Sequence, residues 1–357
     1  MKLLMANGMY SCPRCQQPLT ETVSTVNCRS CDAEWPITAG IPQFMESHYY
    51  WGFTPEEDSE RFIQVTESEG WRKGLEVCYE QQNKDPQYTA EYATNPERVN
   101  FQVLLDLAPG QSVLDIGSGL GAITIPLAEQ SLEVTALDPT YANLRFVKAR
   151  AEQEGLSNVS AVNADVVALD QLPFPAESFD IVILNGVIEW LGLSREQPSP
   201  DIIQRDVLGK IYRVLKPGGR LYLATENRFG VNYFLGQKDE HSGLRFATVL
   251  PRPVANLYSR LARKRSYRAY TPSWHWLTGT LRDLGFTEIS PFYLHPNYRV
   301  LKHLVPLEDT AVLDHFFSTF EASSPLEHIR ILGALLLVRL RVFRFFTPNF
   351  AVIALKK

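Results

Sequence analysis

Ser112-Val-Leu-Asp-Ile-Gly-Ser-Gly-Leu-Gly121 is the stretch on which the fold turns. A short apolar run enters three glycines spaced two apart. The run reads as a strand buried on both faces. The glycines read as a loop whose backbone must approach something closely. The same rhythm continues outward. Upstream, Val99 to Leu107 reads as a helix and Pro109-Gly110 as a turn. Downstream, a helix is expected over Ala122–Gln130, then a strand Glu133–Leu137 ended by Asp138-Pro139. A helix over Tyr141–Glu154, strands at Val159–Val162 and Phe179–Leu184, and a helix over Asp201–Val214 follow. Leu215-Lys-Pro-Gly-Gly219 leads to a strand from Arg220 to Thr225. Strands alternating with helices in this way imply an α/β domain with a doubly wound, mostly parallel sheet.

Such sheets bind ligands at the carboxyl ends of their strands. Gly117, Gly119 and Ala122 satisfy a dinucleotide pattern, and Asp138 lies 21 residues past Gly117, where a ribose-binding acid belongs. An NAD enzyme is therefore open at this point. Asp115 discriminates, because a pyrophosphate on the loop would face its carboxylate. A ligand without phosphate and with a cationic centre would gain there. S-adenosylmethionine, with its sulfonium, ammonium and ribose diol, is such a ligand.

Four stations in order resemble a class I S-adenosylmethionine-dependent methyltransferase. They are Leu114-Asp-Ile-Gly-Ser-Gly-Leu-Gly121, Leu137-Asp-Pro139, Asn163-Ala-Asp165 before Leu172–Ile183, and Leu215-Lys-Pro-Gly-Gly219. The resemblance implies a Rossmann-like seven-stranded sheet with an antiparallel last strand, the sixth and seventh strands being Phe286–Tyr293 and Phe350–Ala354. It also implies the cofactor residues. Gly117, Gly119 and Gly121 would let the backbone approach the cofactor, with Asp115 near its methionine end. Asp138 would take both ribose hydroxyls, Asp165 the adenine amino group, and Val166 would flank the ring. Asn185 and Gly186 would border the place where cofactor meets acceptor. An oxygen acceptor usually needs a base, and Glu189, Glu226 and His241 are the candidates.

Cys12-Pro-Arg-Cys15 and Cys28-Arg-Ser-Cys31 are two CxxC pairs separated by twelve residues. Two such turns can close a tetrahedral shell of four thiolates, which leaves no open position. A structural zinc is the expectation, and Cys78 remains as an ordinary thiol. Asp32 to Phe44 reads as a short strand, a glycine turn and an exit. Residues 8–46 resemble zinc ribbons, including the small activator subunit of eukaryotic tRNA and protein methyltransferases. The expected organisation is a zinc ribbon over 1–46 and a partly helical connection over 47–95. That connection holds the aromatic run His48–Phe53 and a break at Asp85-Pro86. A methyltransferase domain over 96–357 follows, with acceptor-lid insertions at about 228–272 and 295–347.

The C-terminal third should choose the acceptor. Glu226-Asn-Arg-Phe-Gly230, followed by Asp239-Glu-His-Ser-Gly243, resembles a bacterial subgroup associated with glycan biosynthesis. Asn297 stands where an acid would be expected before Tyr298. Residues 228–275 hold nine Lys or Arg (Arg228, Lys238, Arg245, Arg252, Arg260, Arg263, Lys264, Arg265, Arg268) against Asp239 and Glu240. This excess suits a phosphorylated or nucleotide-linked acceptor, or RNA. A glycan or other small molecule leads as acceptor. RNA methylation comes second, and a non-catalytic methyltransferase-like scaffold is the alternative of another class.

Composition bounds these readings. The 357 residues are 45% hydrophobic and 21% charged, and 35 Lys plus Arg against 40 Asp plus Glu give a net charge of −5. That is an ordinary globular balance, and it excludes nucleic-acid binding through global charge. The longest apolar run, Ile331–Val338, falls far short of the roughly 20 residues a membrane span needs. Arg330, Arg341 and Arg344 would share a helix face there, with Arg339 opposite, buried or snorkelling, and peripheral membrane contact is conceivable. The opening Met-Lys-Leu-Leu-Met-Ala breaks at Asn7-Gly8, too early for a secretory signal. A cytoplasmic location is the expectation.

Overall fold

The computed structural model describes residues 9–45, 55–82 and 92–357. The run His48–Phe53 and the break at Asp85-Pro86 lie outside the described residues. The chain divides into two compact units. The first runs to Ile183 and adds Gly209–Arg220 and Lys356. The second holds Leu184–Leu208, Leu221–Leu355 and Lys357.

The first unit begins with short antiparallel strands, β1 (Thr20–Glu21), β2 (Thr25–Asn27), β3 (Glu34–Thr38) and β4 (Ile41–Phe44). Gly40 makes the turn between the last two at φ +71°, in the left-handed region that glycine adopts without strain. Two helices follow, α1 (Ser59–Glu69) and α2 (Trp71–Gln82). The alternating part then runs β5 (Ser112–Ile116), α3 (Thr124–Ala128), β6 (Glu133–Asp138), α4 (Tyr141–Gln153), β7 (Val159–Ala164) and β8 (Phe179–Asn185). The helix α5 (Pro200–Val214) leads to β9 (Leu215–Glu226). Within this unit the strand order is β1-β2-β3-β4-β7-β6-β5-β8-β9. The pairs β5–β6, β6–β7 and β4–β7 are parallel.

The expected strands thus occur, most of them longer by a residue or two. Pro126 is tolerated as the third residue of α3, where no intrahelical donor is required. Upstream of β5 the chain forms a 3-10 helix, Pro96–Leu104, in place of the expected helix to Leu107. Pro96 opens it and the Asn95 side chain caps it by accepting from the Glu97 N–H.

The N-terminal strands belong to the main sheet. In β4, Gln43 and Phe44 pair with Asn163 and Ala164 of β7. The Phe44 ring packs on Trp35 at 5.2 Å and on Tyr10 at 5.7 Å, and Tyr10 meets Phe174 at 6.0 Å. A third tie binds β5, β8 and β9, where the Asp180 carboxylate accepts from the Ser112 N–H, the Ser112 hydroxyl and Lys216 Nζ at 2.7–2.8 Å. The Lys216 ammonium and the Ser112 donors hold the Asp180 carboxyl below its usual range, against its partial burial.

The helices α1 and α2 seat on α4. Phe62 stacks on Phe146 at 5.3 Å, and Trp71 meets the same ring edge-on at 6.5 Å. The Gln153 side chain accepts from the Trp71 N–H and donates to the Thr66 carbonyl.

In the second unit, the end of β8 lies beside β9, and the Gly186 N–H donates to the Ala224 carbonyl. The order continues through β12 (Asn349–Lys356) to β10 (Phe286–Pro296) and β11 (Leu301–Pro306). The hairpin β10–β11 is antiparallel, with Tyr293 opposite Val305, and makes the sheet mixed. Strand β11 was not expected. It opens the segment read as an insertion, which continues with α8 (Thr310–Thr319) and α9 (Pro325–Arg339), while α6 (Arg252–Arg263) and α7 (Trp274–Asp283) precede β10. The arginine-face reading of this segment is corrected. The helix α9 ends at Arg339, which is 65% exposed and paired with Asp314 at 2.9 Å, and Arg341 breaks the helix at φ +61°. No described helix is long and apolar enough to cross a membrane.

Phe146 is fully buried at the junction of α1, α2 and α4. Phe146→Ala is expected to cost about 3–5 kcal/mol of stability. Urea unfolding checks this, and protease should cut first in residues 55–82 of the variant.

Candidate functional site

The glycine loop sits where β5 ends. Gly117 and Ser118 donate backbone N–H groups to the Leu137 carbonyl at 2.7 and 3.3 Å, which locks the loop onto β6. Gly119 donates its N–H to Asp138 Oδ2 at 2.9 Å. Gly121 is at φ +77°, and a Cβ there would lie 3.1 Å from Val147 Cγ2. That position is closed to larger residues by backbone conformation and by helix α4 together.

Three acids stand at or just beyond the carboxyl ends of β5, β6 and β7. Asp115 Oδ2 accepts from the Thr124 hydroxyl at 2.7 Å. Asp138 Oδ1 accepts from the Thr140 N–H at 2.8 Å and from Asn143 Nδ2 at 3.2 Å. Asp165 Oδ1 accepts from the Val167 N–H at 2.8 Å, and Val166 beside it is buried. Lys210 Nζ fixes that turn by donating to the Val166 and Leu169 carbonyls. All three acids are at least 95% buried. Burial pushes the Asp115 and Asp138 carboxyls up to about 6, and the Asp138 charge adds to the rise at Asp115. These are buried anions that a cationic ligand would stabilise.

The four expected thiols converge as well. Cys12 Sγ lies 3.5 Å from Cys31 Sγ, and Cys15 Sγ lies 3.4 Å from Cys28 Sγ. Backbone N–H groups of Arg14 and Cys15 reach the Cys12 sulfur, and those of Ser30 and Cys31 reach the Cys28 sulfur. A tetrahedral zinc with Zn–S near 2.3 Å places its sulfurs about 3.8 Å apart, so the donor set fits. Cys78 is buried in the cluster around Phe62 and Phe146, away from these four.

The second unit brings Glu189, Glu226 and His241 together, with one ligand atom of each within 4.8 Å of the other two. Glu189 follows β8 and Glu226 ends β9. His241 Nδ1 lies 2.9 Å from Asp239 Oδ1. The Asp239 carboxylate also takes the Ser242 hydroxyl at 2.6 Å and the Tyr267 hydroxyl at 3.3 Å. Thr225 donates to Glu189 Oε1 at 2.9 Å and Tyr298 to Glu226 Oε1 at 2.8 Å. The Trp190 ring covers the imidazole edge-on at 4.5 Å. Burial first, and then the neighbouring Glu226 charge, push the Glu189 carboxyl far up. Glu226 is held down against its burial by hydrogen bonds from the Glu189 carboxyl and Tyr298 and by the His241 and Arg299 charges.

Asn185 is buried and neither atom of its amide has a partner among the described residues. Gly186 is at φ +67°, and a Cβ there would lie 2.5 Å from the Tyr298 ring. Sequence reasoning missed Asp239, Thr225 and Tyr298 as parts of this cluster. Asp239 was signalled by its place two residues before His241, whereas Tyr298 lies 72 residues from Glu226 and carried no local sign. Asn297 instead holds a turn, accepting from the Arg299 and Val300 N–H groups. Several basic residues of 228–275 are spent on carbonyls. Arg228 binds those of Thr248 and Leu250, Arg252 that of Thr271, and Arg268 those of Gly192 and Pro198.

Residues 107–245 match the family model of a methyltransferase domain, and the chain carries such a domain in a Rossmann-like α/β fold with a mixed sheet. The biotin biosynthesis bifunctional protein BioHC of Cellvibrio japonicus is 37% identical over 128 residues, covering 34% of this chain and 22% of that protein. The ubiquinone biosynthesis O-methyltransferase of Methylocella silvestris is 29% identical over 160 residues, 41% of this chain and 55% of the relative. The demethylmenaquinone methyltransferase of Renibacterium salmoninarum is 29% identical over 182 residues, 51% of this chain and 69% of the relative.

The raised Asp115 carboxyl has a stability consequence. Its folded pKa lies above the ordinary value, so the folded state holds the proton more tightly and loses stability as pH rises from about 4 through about 6. Asp115→Asn removes that loss. The variant is expected to gain about 3 kcal/mol on wild type between pH 4 and pH 7, read from urea midpoints at each pH.

Proposed function

We propose that this chain transfers the methyl group of S-adenosylmethionine to an oxygen of a small-molecule acceptor. The observation that carries the reading is the glycine loop with Asp115 and Asp138 buried beside it. A dinucleotide would set its pyrophosphate against two carboxylates, at a Coulomb cost. A sulfonium ligand instead meets the charge those acids carry. Asp138 has one hydrogen bond or more on each oxygen from its own loop, and each oxygen keeps acceptor capacity for a ribose hydroxyl. In this reading Gly117, Gly119 and Gly121 give the loop its close approach. Asp165 and Val166 bind the adenine, and Asn185 and Gly186 border the transferred methyl. The three relatives named above are similar to parts of the chain, and two of them are named as methyltransferases.

The cofactor brings the activated methyl group, so the protein supplies orientation and exclusion of water. Glu189, Glu226 and His241 are assigned to the acceptor, where its hydroxyl is ionised. Sugar hydroxyls are the acceptor class that the Glu226–Gly230 and Asp239–Gly243 resemblance supports. RNA stands behind them, since Arg228, Arg252 and Arg268 are occupied in bracing the second unit. Cys12, Cys15, Cys28 and Cys31 are assigned to a structural zinc, which would fix the strands leading into β4.

Calorimetry with S-adenosylmethionine tests the cofactor. Binding is expected for wild type, and Asp138→Ala should weaken it by about 10–100-fold through the lost charge-assisted bonds. Absence of binding would instead favour a silent scaffold. For the ribbon, a thiol-blocking mercurial should release one zinc per chain, and Cys15→Ser should release less and melt earlier.

A further inference from the structure

We infer that Glu189, Glu226 and His241 hold a divalent metal ion. The geometry is that of a ligand set with its supports in place. Each side chain uses one atom on an outer partner and presents another inward. Glu189 accepts from Thr225 on Oε1, Glu226 accepts from Tyr298 on Oε1, and His241 faces Asp239 through Nδ1. The remaining atoms, Glu189 Oε2, Glu226 Oε2 and His241 Nε2, are buried and have no hydrogen-bond partner outside the cluster among the described residues. Glu189 is fully buried, and the side chains of His241 and Asp239 are fully buried too. A metal-binding histidine commonly gives its other nitrogen to a carboxylate, and ligating carboxylates are themselves hydrogen-bonded, as all three are here.

Charge points the same way. Glu189 and Asp239 are buried and Glu226 is partly buried around one imidazole, and Arg299, which pairs with Glu240 at 2.6 Å, offsets part of the Glu226 charge. With Nδ1–H donating to Asp239, the Nε2 lone pair would face two carboxylates. That arrangement requires a cation or extra protons between them. A site of one nitrogen and two carboxylate oxygens suits manganese, iron or zinc, unlike the four thiolates of the first unit. A cation there would lower the pKa of a hydroxyl bound to it. What the ion does for the acceptor rests on the methyl-transfer reading, whereas its binding does not.

The test uses the full chain, treated with chelator until elemental analysis finds no metal beyond thiolate-bound zinc, and titrated with Mn(II), which thiolates bind poorly. Electron paramagnetic resonance should show one Mn(II) per chain, and pulsed measurements should show nitrogen coupling from a directly bound imidazole. Glu226→Gln and His241→Ala should weaken binding at least tenfold. Asp239→Asn, at a positioning residue, should weaken it by about 10–100-fold. The wild-type nitrogen coupling decides the matter even where a variant fails to fold. No saturable binding up to about 1 mM Mn(II), bound Mn(II) without nitrogen coupling, or unchanged affinity in folded variants would overturn the site. Calorimetry with S-adenosylmethionine on the same samples keeps the two readings separate. Cofactor binding without Mn(II) binding overturns only the metal, and Mn(II) binding without cofactor binding overturns only the methyl transfer.

Discussion

Two carboxylates buried beside one glycine loop govern the first unit. Asp115 is in β5 and Asp138 ends β6, where parallel pairing sets Asp115 opposite Ala136. Burial opposes the ionisation of both, and the Asp138 charge adds to the rise at Asp115. The loop answers with the Gly119 N–H on Asp138 and the Thr124 hydroxyl on Asp115. Those contacts reduce the cost of the charges without removing it. On the proposed reading, the unit would favour a ligand that is positive and free of phosphate. The turn at Gly121, the lock of Gly117 and Ser118 on Leu137, and the packing of α4 hold the loop in place.

The second unit repeats the problem in a stronger form. Glu189, Glu226 and Asp239 are gathered around His241 with the tryptophan ring of Trp190 over it. Outer hydrogen bonds from Thr225, Tyr298, Ser242 and Tyr267 fix the orientation of each acid. Hydrogen bonds orient charge, but they do not neutralise it. Gathering three acids is a liability for stability, eased here by the raised Glu189 carboxyl, and each acid is held by its partners.

The parts of this architecture that are local were legible in the sequence. Buried apolar runs alternating with helical stretches gave β5 to β9, and the paired CxxC turns gave a cluster whose sulfurs meet at 3.4–3.5 Å. Glu189 and Glu226 could be singled out because they follow expected strands, and His241 because it lies in the Asp239–Gly243 stretch near the expected site. What stayed hidden depends on long-range pairing. Ile41–Phe44 carries no mark that it will extend the sheet beside β7, and Leu301–Pro306 none that it will fold back on β10. Tyr298 reaches Glu226 only because that hairpin forms. The expected single arginine face near residue 340 failed for a related reason, since helical spacing was extended through Arg341, where the backbone turns left-handed.

On the proposed reading, the buried acids of the first unit select a sulfonium cofactor over a dinucleotide. Ultraviolet crosslinking of methyl-labelled S-adenosylmethionine to the full chain, with competition by S-adenosylhomocysteine and by NAD, tests it most directly. Label is expected within residues 107–245, lost with S-adenosylhomocysteine and unaffected by NAD. Label displaced by NAD, or no specific label at all, would contradict it.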